Sequence, residues 1–260
     1  MVGERTRAVK AFDFNPKMAT ALKRKVKDFF YRRGYNITSR GISQIDHFAG
    51  ISSCLDAVKA QVVFDVGANR GQTLLQFRPF FRNAQLYCFE PDAEAFAYLE
   101  RVARAVESVS VFNVALGSFD GERTLYCNAA SEGNSLLEVS HKIAEDTAPG
   151  WLRPMAEKLV PVHRLDTFCA EHSIERIDLL KLDTQGYEAE VLRGATRLLN
   201  QKAVNLVLAE VQFSEYYENQ AYFDDVYAVL KESGYRLVDL YQKFRAEDQS
   251  LTACDALFVG

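Results

Sequence analysis

Between residues 19 and 33 the apolar positions Leu22, Val26, Phe29 and Phe30 recur at three- and four-residue steps. Lys23, Arg24, Lys25, Lys27, Arg32 and Arg33 fill much of the remainder, so the pattern predicts a basic amphipathic helix that stops near Gly34. Residues 36–50 are polar around Gly41 and Gly50 and read as a connector. From about residue 60 the pattern changes. Short apolar runs at 62–66, 86–89, 109–114, 177–182 and 204–211 alternate with helical periodicity at 72–81, 93–106, 187–199 and 222–233. Such alternation implies parallel strands joined by right-handed crossovers, with helices on both faces. Two strand-like runs, 235–241 and 256–259, follow without a helix between them and predict a terminal antiparallel hairpin. The expected fold is a doubly wound α/β sheet with an antiparallel C-terminal strand and an N-terminal helical extension. Residues 1–58 form the extension and connector, and 59–260 the main domain.

One stretch breaks the rhythm. Residues 118–163 hold a turn at 117–121, a strand-like 124–127, a polar 128–150 and an apolar 159–162. An insertion of this length in an α/β domain covers the ligand crevice and carries specificity.

Charge divides the chain. Residues 1–40 carry a net +8 within a total of −4, which leaves −12 on the remaining 220 residues. A body so acidic lacks the basic footprint of a general nucleic-acid binder. The basic helix has three readings: packing on the body or on a second subunit of a homo-oligomer, peripheral contact with an anionic membrane, or capture of an acidic substrate. At 48% hydrophobic and 25% charged residues, the composition is that of an ordinary globular domain. The five cysteines, Cys54, Cys88, Cys127, Cys169 and Cys254, never fall in a C-x-x-C pair. That argues for a reducing compartment and against a zinc cluster, and no metal site is expected. No window approaches 18 consecutive apolar residues, and the first twenty carry charges where a signal peptide would need an apolar stretch, so the expectation is a cytoplasmic protein that does not span a membrane.

The strongest chemical signal is Val62-Val63-Phe64-Asp65-Val66-Gly67-Ala68-Asn69-Arg70-Gly71, an apolar strand entering a Gly-x-x-x-Gly turn before a helix. Gly67 lets the chain turn at the strand end, and Gly71 is expected to allow close approach of a ligand. Asp65, Gly67, Ala68, Asn69 and Gly71 are therefore candidate nucleoside-binding residues. Asn69 stands where the dinucleotide fingerprint has its middle glycine, which disfavours NAD or FAD. Glu90 ends the second apolar run, 23 residues after Gly67, where an acid accepts hydrogen bonds from ribose hydroxyls. An acid before Pro91 at a helix start is also favourable electrostatically.

With Phe89-Glu90-Pro91, Val114-Ala115-Leu116-Gly117, Leu165-Asp166-Thr167 and the block from Leu179 to Ala195 (LLKLDTQGYEAEVLRGA), the chain resembles the FkbM family of methyltransferases from about Val62 to Val211. The resemblance implies a Rossmann-like, class I fold with a seven-stranded, mostly parallel sheet. It also implies S-adenosyl-L-methionine as cofactor and O-methylation of a sugar or natural-product hydroxyl. It places Asp183 near the transferable methyl and the incoming nucleophile, as a catalytic acid–base group and a cofactor contact; helix capping is the competing reading. Glu210, next along the same edge, is expected to share the substrate. Gln185 and Glu188 match the block, with helix-start packing as the alternative. Asn113 or Val114-Ala115 is expected beside the adenine. His141 in the insertion is a candidate general base, as is His163 after the apolar run; either can equally be structural. Tyr216, Tyr217 and Tyr222 can floor a sugar site or pack in the core. Two rival readings are a non-catalytic cofactor-binding scaffold in a glycan-assembly complex and a Rossmann oxidoreductase.

Overall fold

A computed structural model describes residues 35–38, 41–44, 47–143 and 149–260. The expected basic helix at 19–33 lies outside the described residues. In chain order the strands are β1 (Tyr35–Thr38), β2 (Gly41–Gln44), β3 (Val62–Val66), β4 (Gln85–Phe89), β5 (Val109–Phe112), β6 (Ala115–Gly117), β7 (Gly121–Asn128) and β8 (Pro154–Arg164), then β9 (Ile177–Leu182), β10 (Val204–Gln212), β11 (Arg236–Arg245) and β12 (Leu251–Val259). The helices are α1 (His47–Cys54), α2 (Gln72–Phe80), α3 (Ala93–Ala103), α4 (Leu165–Glu171), α5 (Glu188–Arg193), α6 (Thr196–Asn200) and α7 (Phe223–Glu232).

Seven strands make one sheet in the order β11-β12-β10-β9-β3-β4-β5. The strands β10, β9, β3, β4 and β5 run parallel, and β12 is antiparallel to both β10 and β11. The chain enters at central β3, winds outward through β4 and β5, and returns on the other side at β9. The reversal leaves a crevice beyond the carboxyl ends of β3 and β9, the place where open α/β sheets bind ligands. The sheet is covered on both faces, which is why its strands read as unbroken apolar runs. Val63, Leu86, Leu179 and Leu206 pack with Phe48 and Ile51 of α1, Leu74 and Phe77 of α2 and Leu99 of α3. Phe64, Phe89, Leu180 and Val207 pack on the opposite face with Phe168 of α4, Leu192 of α5, Leu198 of α6 and Leu230 of α7. The expected doubly wound sheet with its antiparallel C-terminal strand is thus present.

Three local expectations are corrected. The single helix at 187–199 is two, because Asp166 inserts its carboxylate at the second start: its oxygens accept the Arg197 and Leu198 amides at 2.8 and 3.1 Å. The segment read as a connector instead forms the antiparallel pair β1–β2 and helix α1. Because Phe48 and Ile51 of α1 are fully buried against the sheet, the boundary expected at 58/59 cuts through packed structure. The insertion and the short β6 before it build a separate three-stranded sheet in the order β6-β8-β7, with 3-10 turns at Ser131–Gly133 and Gly150–Leu152. No helix among the described residues is long and apolar enough to cross a membrane.

Candidate active site

The crevice at the switch point encloses about 320 Å³, within the range typical of small-molecule sites. Its floor is the turn after β3. Gly67 has φ 79°, and a Cβ there would stand 1.9 Å from the Asp183 carbonyl oxygen. Only a glycine lets the ends of β3 and β9 meet and leaves bare backbone facing the cavity. The Gly67 and Ala68 amides both donate to the Phe89 carbonyl at 3.0 Å, which ties the turn to β4. Gly71 is placed differently from expectation. It has φ 90° and lies outside the lining, and a Cβ would meet Leu99 and Val102 of α3. Helix packing, not ligand approach, constrains that position.

Glu90 is buried at the tip of β4 and faces the cavity. Its Oε2 accepts the Asn69 amide at 2.9 Å and its Oε1 the Asp92 amide at 2.8 Å. Each carboxylate oxygen retains a further lone pair for a ligand hydroxyl. Burial pushes its pKa up to about 7, against the pull of those two amides. Val114, Ala115 and Leu116 form an apolar wall nearby. Asn113 does not line the cavity: its amide nitrogen is used in holding the carbonyls of Glu90 and Pro91 at 2.8 and 3.0 Å. The insertion closes the opposite side. Ser131 Oγ donates to Asn69 Oδ1 at 3.0 Å, and Glu132 and Asn134 also line the crevice.

The carboxyl edge of β9 and β10 brings Asp183 and Glu210 to the same cavity. Gln185 joins them, its Nε2 donating at 2.9 Å to Asp183 Oδ1 and at 2.9 Å to Glu210 Oε2. Lys181 Nζ lies 3.2 Å from Asp183 Oδ2 and 3.1 Å from Asp65 Oδ1. Burial alone would raise the Asp183 pKa, but the Lys181 charge and the Gln185 amide outweigh it and hold the carboxyl below its usual range. Glu210 moves the other way, driven well above its ordinary value by burial and by the neighbouring Asp183 charge. The two carboxyls are thus driven in opposite directions, as expected of two acids that share a site. Asp65 stands outside the cavity lining, buried and paired with Lys181, with burial raising its pKa despite that partner. It supports the site from beneath. Lys181 itself, a cation inside an apolar strand, was not singled out from sequence, although the Leu-Leu-Lys-Leu-Asp run shows it.

The other candidates separate. The Asp183 side chain bonds to side chains and not to helix-start amides. The start of the block is held by Glu188, whose Oε1 accepts the Thr184 amide at 2.6 Å and its hydroxyl at 3.0 Å. His141 is exposed and lies away from the crevice, its backbone amide bonded to Glu218 at 2.7 Å. The Ser140 amide donates to the Tyr216 carbonyl at 2.9 Å and holds this stretch at a separate cavity, so His141 is not positioned as a base here. His163 lies on β8, also outside the lining. Tyr217 is buried in the core and donates to the Gly133 carbonyl at 2.9 Å. Tyr222 caps α7 through its amide, 2.9 Å from Asp225 Oδ2. None of the three tyrosines lines the crevice.

Burial also pushes Glu188 up to about 7, and its Oε2 has no hydrogen-bond partner among the described residues. A carboxyl raised above its unfolded value costs stability once pH exceeds the unfolded pKa, up to a full cost above the folded pKa. Stability from this group is therefore present at low pH and lost on the way to pH 8, on the order of 3 kcal/mol. Glu188→Gln should raise Tm at pH 8 and not at pH 5. A shift of equal size at both pH values would show that ionisation of Glu188 is not the cause.

A profile of the methyltransferase FkbM domain matches residues 65–237. The 2-O-methyltransferase NoeI of Sinorhizobium fredii is 28% identical over 163 residues, covering 61% of this chain and 66% of NoeI. Methyltransferase sdnD of Sordaria araneosa is 29% identical over 153 residues, covering 51% of this chain and 59% of sdnD. The chain thus spans less than two thirds of these relatives. Among solved structures, the methyltransferase FkbM of Methylobacillus flagellatus KT superposes with a TM-score of 0.52 at 16% identity, over 80% of this chain and 46% of that one. At that identity the likeness shows the shared fold.

Proposed function

The chain belongs to the methyltransferase FkbM family, and from that premise we propose that it transfers a methyl group from S-adenosyl-L-methionine to a hydroxyl oxygen, most readily one on a sugar or comparable polyol. The observation that carries this reading is the meeting of Asp183 and Glu210, bridged by Gln185, at the end of a glycine-floored crevice. S-adenosyl-L-methionine supplies, when bound, a methyl group on a positively charged sulfur, so the protein must align the acceptor, remove its proton and exclude water.

The residues fit that donor. The bare backbone at Gly67 admits close contact, Glu90 accepts from ribose hydroxyls, and Val114 to Leu116 flank an aromatic base. Asp183, beside the Lys181 ammonium, takes the proton of the acceptor hydroxyl as its oxygen attacks. Glu210, the carboxyl driven upward, serves as the proton-holding partner of the pair. Asn69, at φ 45°, keeps a side chain where a dinucleotide fold has a glycine, so a Rossmann oxidoreductase is not supported. The name of NoeI, a 2-O-methyltransferase, favours oxygen and a hydroxyl acceptor.

Radiolabelled methyl transfer from S-adenosyl-L-methionine should be scored against nucleotide sugars and short neutral glycans, with small carboxylic acids in parallel. Label in base-stable ethers on a glycan is the expected result. Label confined to base-labile methyl esters would overturn the hydroxyl assignment.

A further inference from the structure

The donor crevice has a neighbour. A second cavity of about 180 Å³ opens on the α1/α2 face of the sheet and shares Thr73, Asp183 and Glu210 with it. We infer that this second cavity is the acceptor pocket, that it takes one ring of a neutral sugar, and that Gln242, Asp255 and Phe244 are its recognition residues; the inference rests on the methyl-transfer reading.

Position is the first argument. Displacement at a methyl carbon requires donor and acceptor on opposite sides of the reacting group, and these two cavities meet at Asp183 and Glu210. An acceptor hydroxyl in the second cavity would stand beside the carboxylate that removes its proton. The step balances without a further reagent: the O–H proton passes to Asp183, the oxygen lone pair forms the new C–O bond, and the C–S pair leaves on sulfur.

Construction is the second argument. Strand β11 loses register with β12 between Tyr241 and Phe244, a bulge, and Gln242 within it is held at φ 44°. Bulges of this kind re-aim side chains next to active sites, and a non-glycine residue in that region is strained. Here the distortion brings Gln242 Nε2 to 2.7 Å from His47 Nδ1, and Asp255 Oδ2 lies 3.1 Å from the same nitrogen, which bonds to one of the two at a time. Asp255 lies directly opposite Glu210 across the β10–β12 ladder. Three remote segments, near residues 47, 242 and 255, thus converge on one wall of the cavity.

The lining chooses the ligand. Asp183, Glu210 and Asp255 present carboxyl oxygens, while the Lys181 ammonium is already engaged by Asp65 and Asp183. A ligand rich in hydroxyl donors is welcomed, and an anionic group would face carboxylates. Phe244, 51% exposed, offers an aromatic face at the mouth for the C–H face of a ring. The small volume admits a single ring, with the rest of a longer acceptor outside.

The test uses the full chain saturated with S-adenosylhomocysteine, and saturation-transfer difference NMR. The probes are methyl glycosides of glucose, galactose, mannose and N-acetylglucosamine, with glucuronate and glucose 6-phosphate as anionic counterparts. At least one neutral glycoside should give a signal, the anions should not, and Gln242→Ala and Phe244→Ala should each weaken glycoside binding about fivefold or more. Calorimetry on both variants should return wild-type affinity for S-adenosylhomocysteine, which also shows that they fold. Equal binding of the anions, wild-type glycoside binding by both variants, or no glycoside binding at all overturns the pocket. Failure of the wild type to bind S-adenosylhomocysteine is a separate result that overturns the methyl-transfer reading and the pocket with it.

Discussion

Asp183→Asn should lower methyl turnover by about 10²-fold or more, the loss typical of a positioned acid–base group, with affinity for S-adenosylhomocysteine nearly unchanged. Asparagine keeps the shape and still accepts a hydrogen bond from Lys181 or Gln185, but it cannot take a proton. The donor contacts come chiefly from the β3 turn and the tip of β4, so binding should survive. Lys181 retains Asp65 as a partner at 3.1 Å, which limits the structural damage. Single-turnover rates alongside calorimetry separate the two effects. Near-normal turnover in the variant would reduce Asp183 to a structural member of the Lys181–Gln185 network.

The second large effect falls on binding. Glu90→Ala should weaken S-adenosylhomocysteine by roughly 1–3 kcal/mol, the scale of a charge-assisted hydrogen bond. The carboxylate also anchors the Asn69 and Asp92 amides, so the alanine variant loosens the turn as well as losing a contact. The pH dependence gives a sharper signature. Hydroxyl donors favour the ionised carboxylate, and burial puts Glu90 at about 7, so wild-type affinity should fall as pH drops from 8 to 6. In Glu90→Ala that component should vanish. Stability moves in the opposite sense, because a raised carboxyl destabilises the fold as pH climbs through its folded pKa. A wild-type affinity that does not change between pH 6 and 8 would place the ribose elsewhere.

Much of the sheet was legible because each buried strand is a short apolar run bounded by turn residues. The run at 62–66 coincides with β3, and that at 177–182 with β9. Helix α4 was not expected: only seven residues long, it is too short for a helical period to declare itself. The break between α5 and α6 depends on Asp166, some thirty residues earlier in the chain, and local periodicity carries no sign of such a contact. The same limit applies at the site. The β3 turn, Glu90, Asp183 and Glu210 were visible because strand tips of a doubly wound sheet converge on one edge. Asp65 was misplaced because period-two alternation sends it to the α1/α2 face of the sheet, where it meets Lys181, instead of to the crevice. The bridging role of Gln185 required its backbone at φ 54°, and the meeting of His47 with Asp255 spans 208 positions. His141 is a candidate on residue type alone, and the pairing of Ser140 with Tyr216 holds it at a separate cavity.

The identity of the donor is the claim on which the rest depends. Calorimetric titration of the full chain with S-adenosylhomocysteine and, separately, with NAD addresses it directly. One molecule of S-adenosylhomocysteine should bind per chain, with no detectable heat from NAD. Saturable binding of NAD with none of S-adenosylhomocysteine would contradict the account.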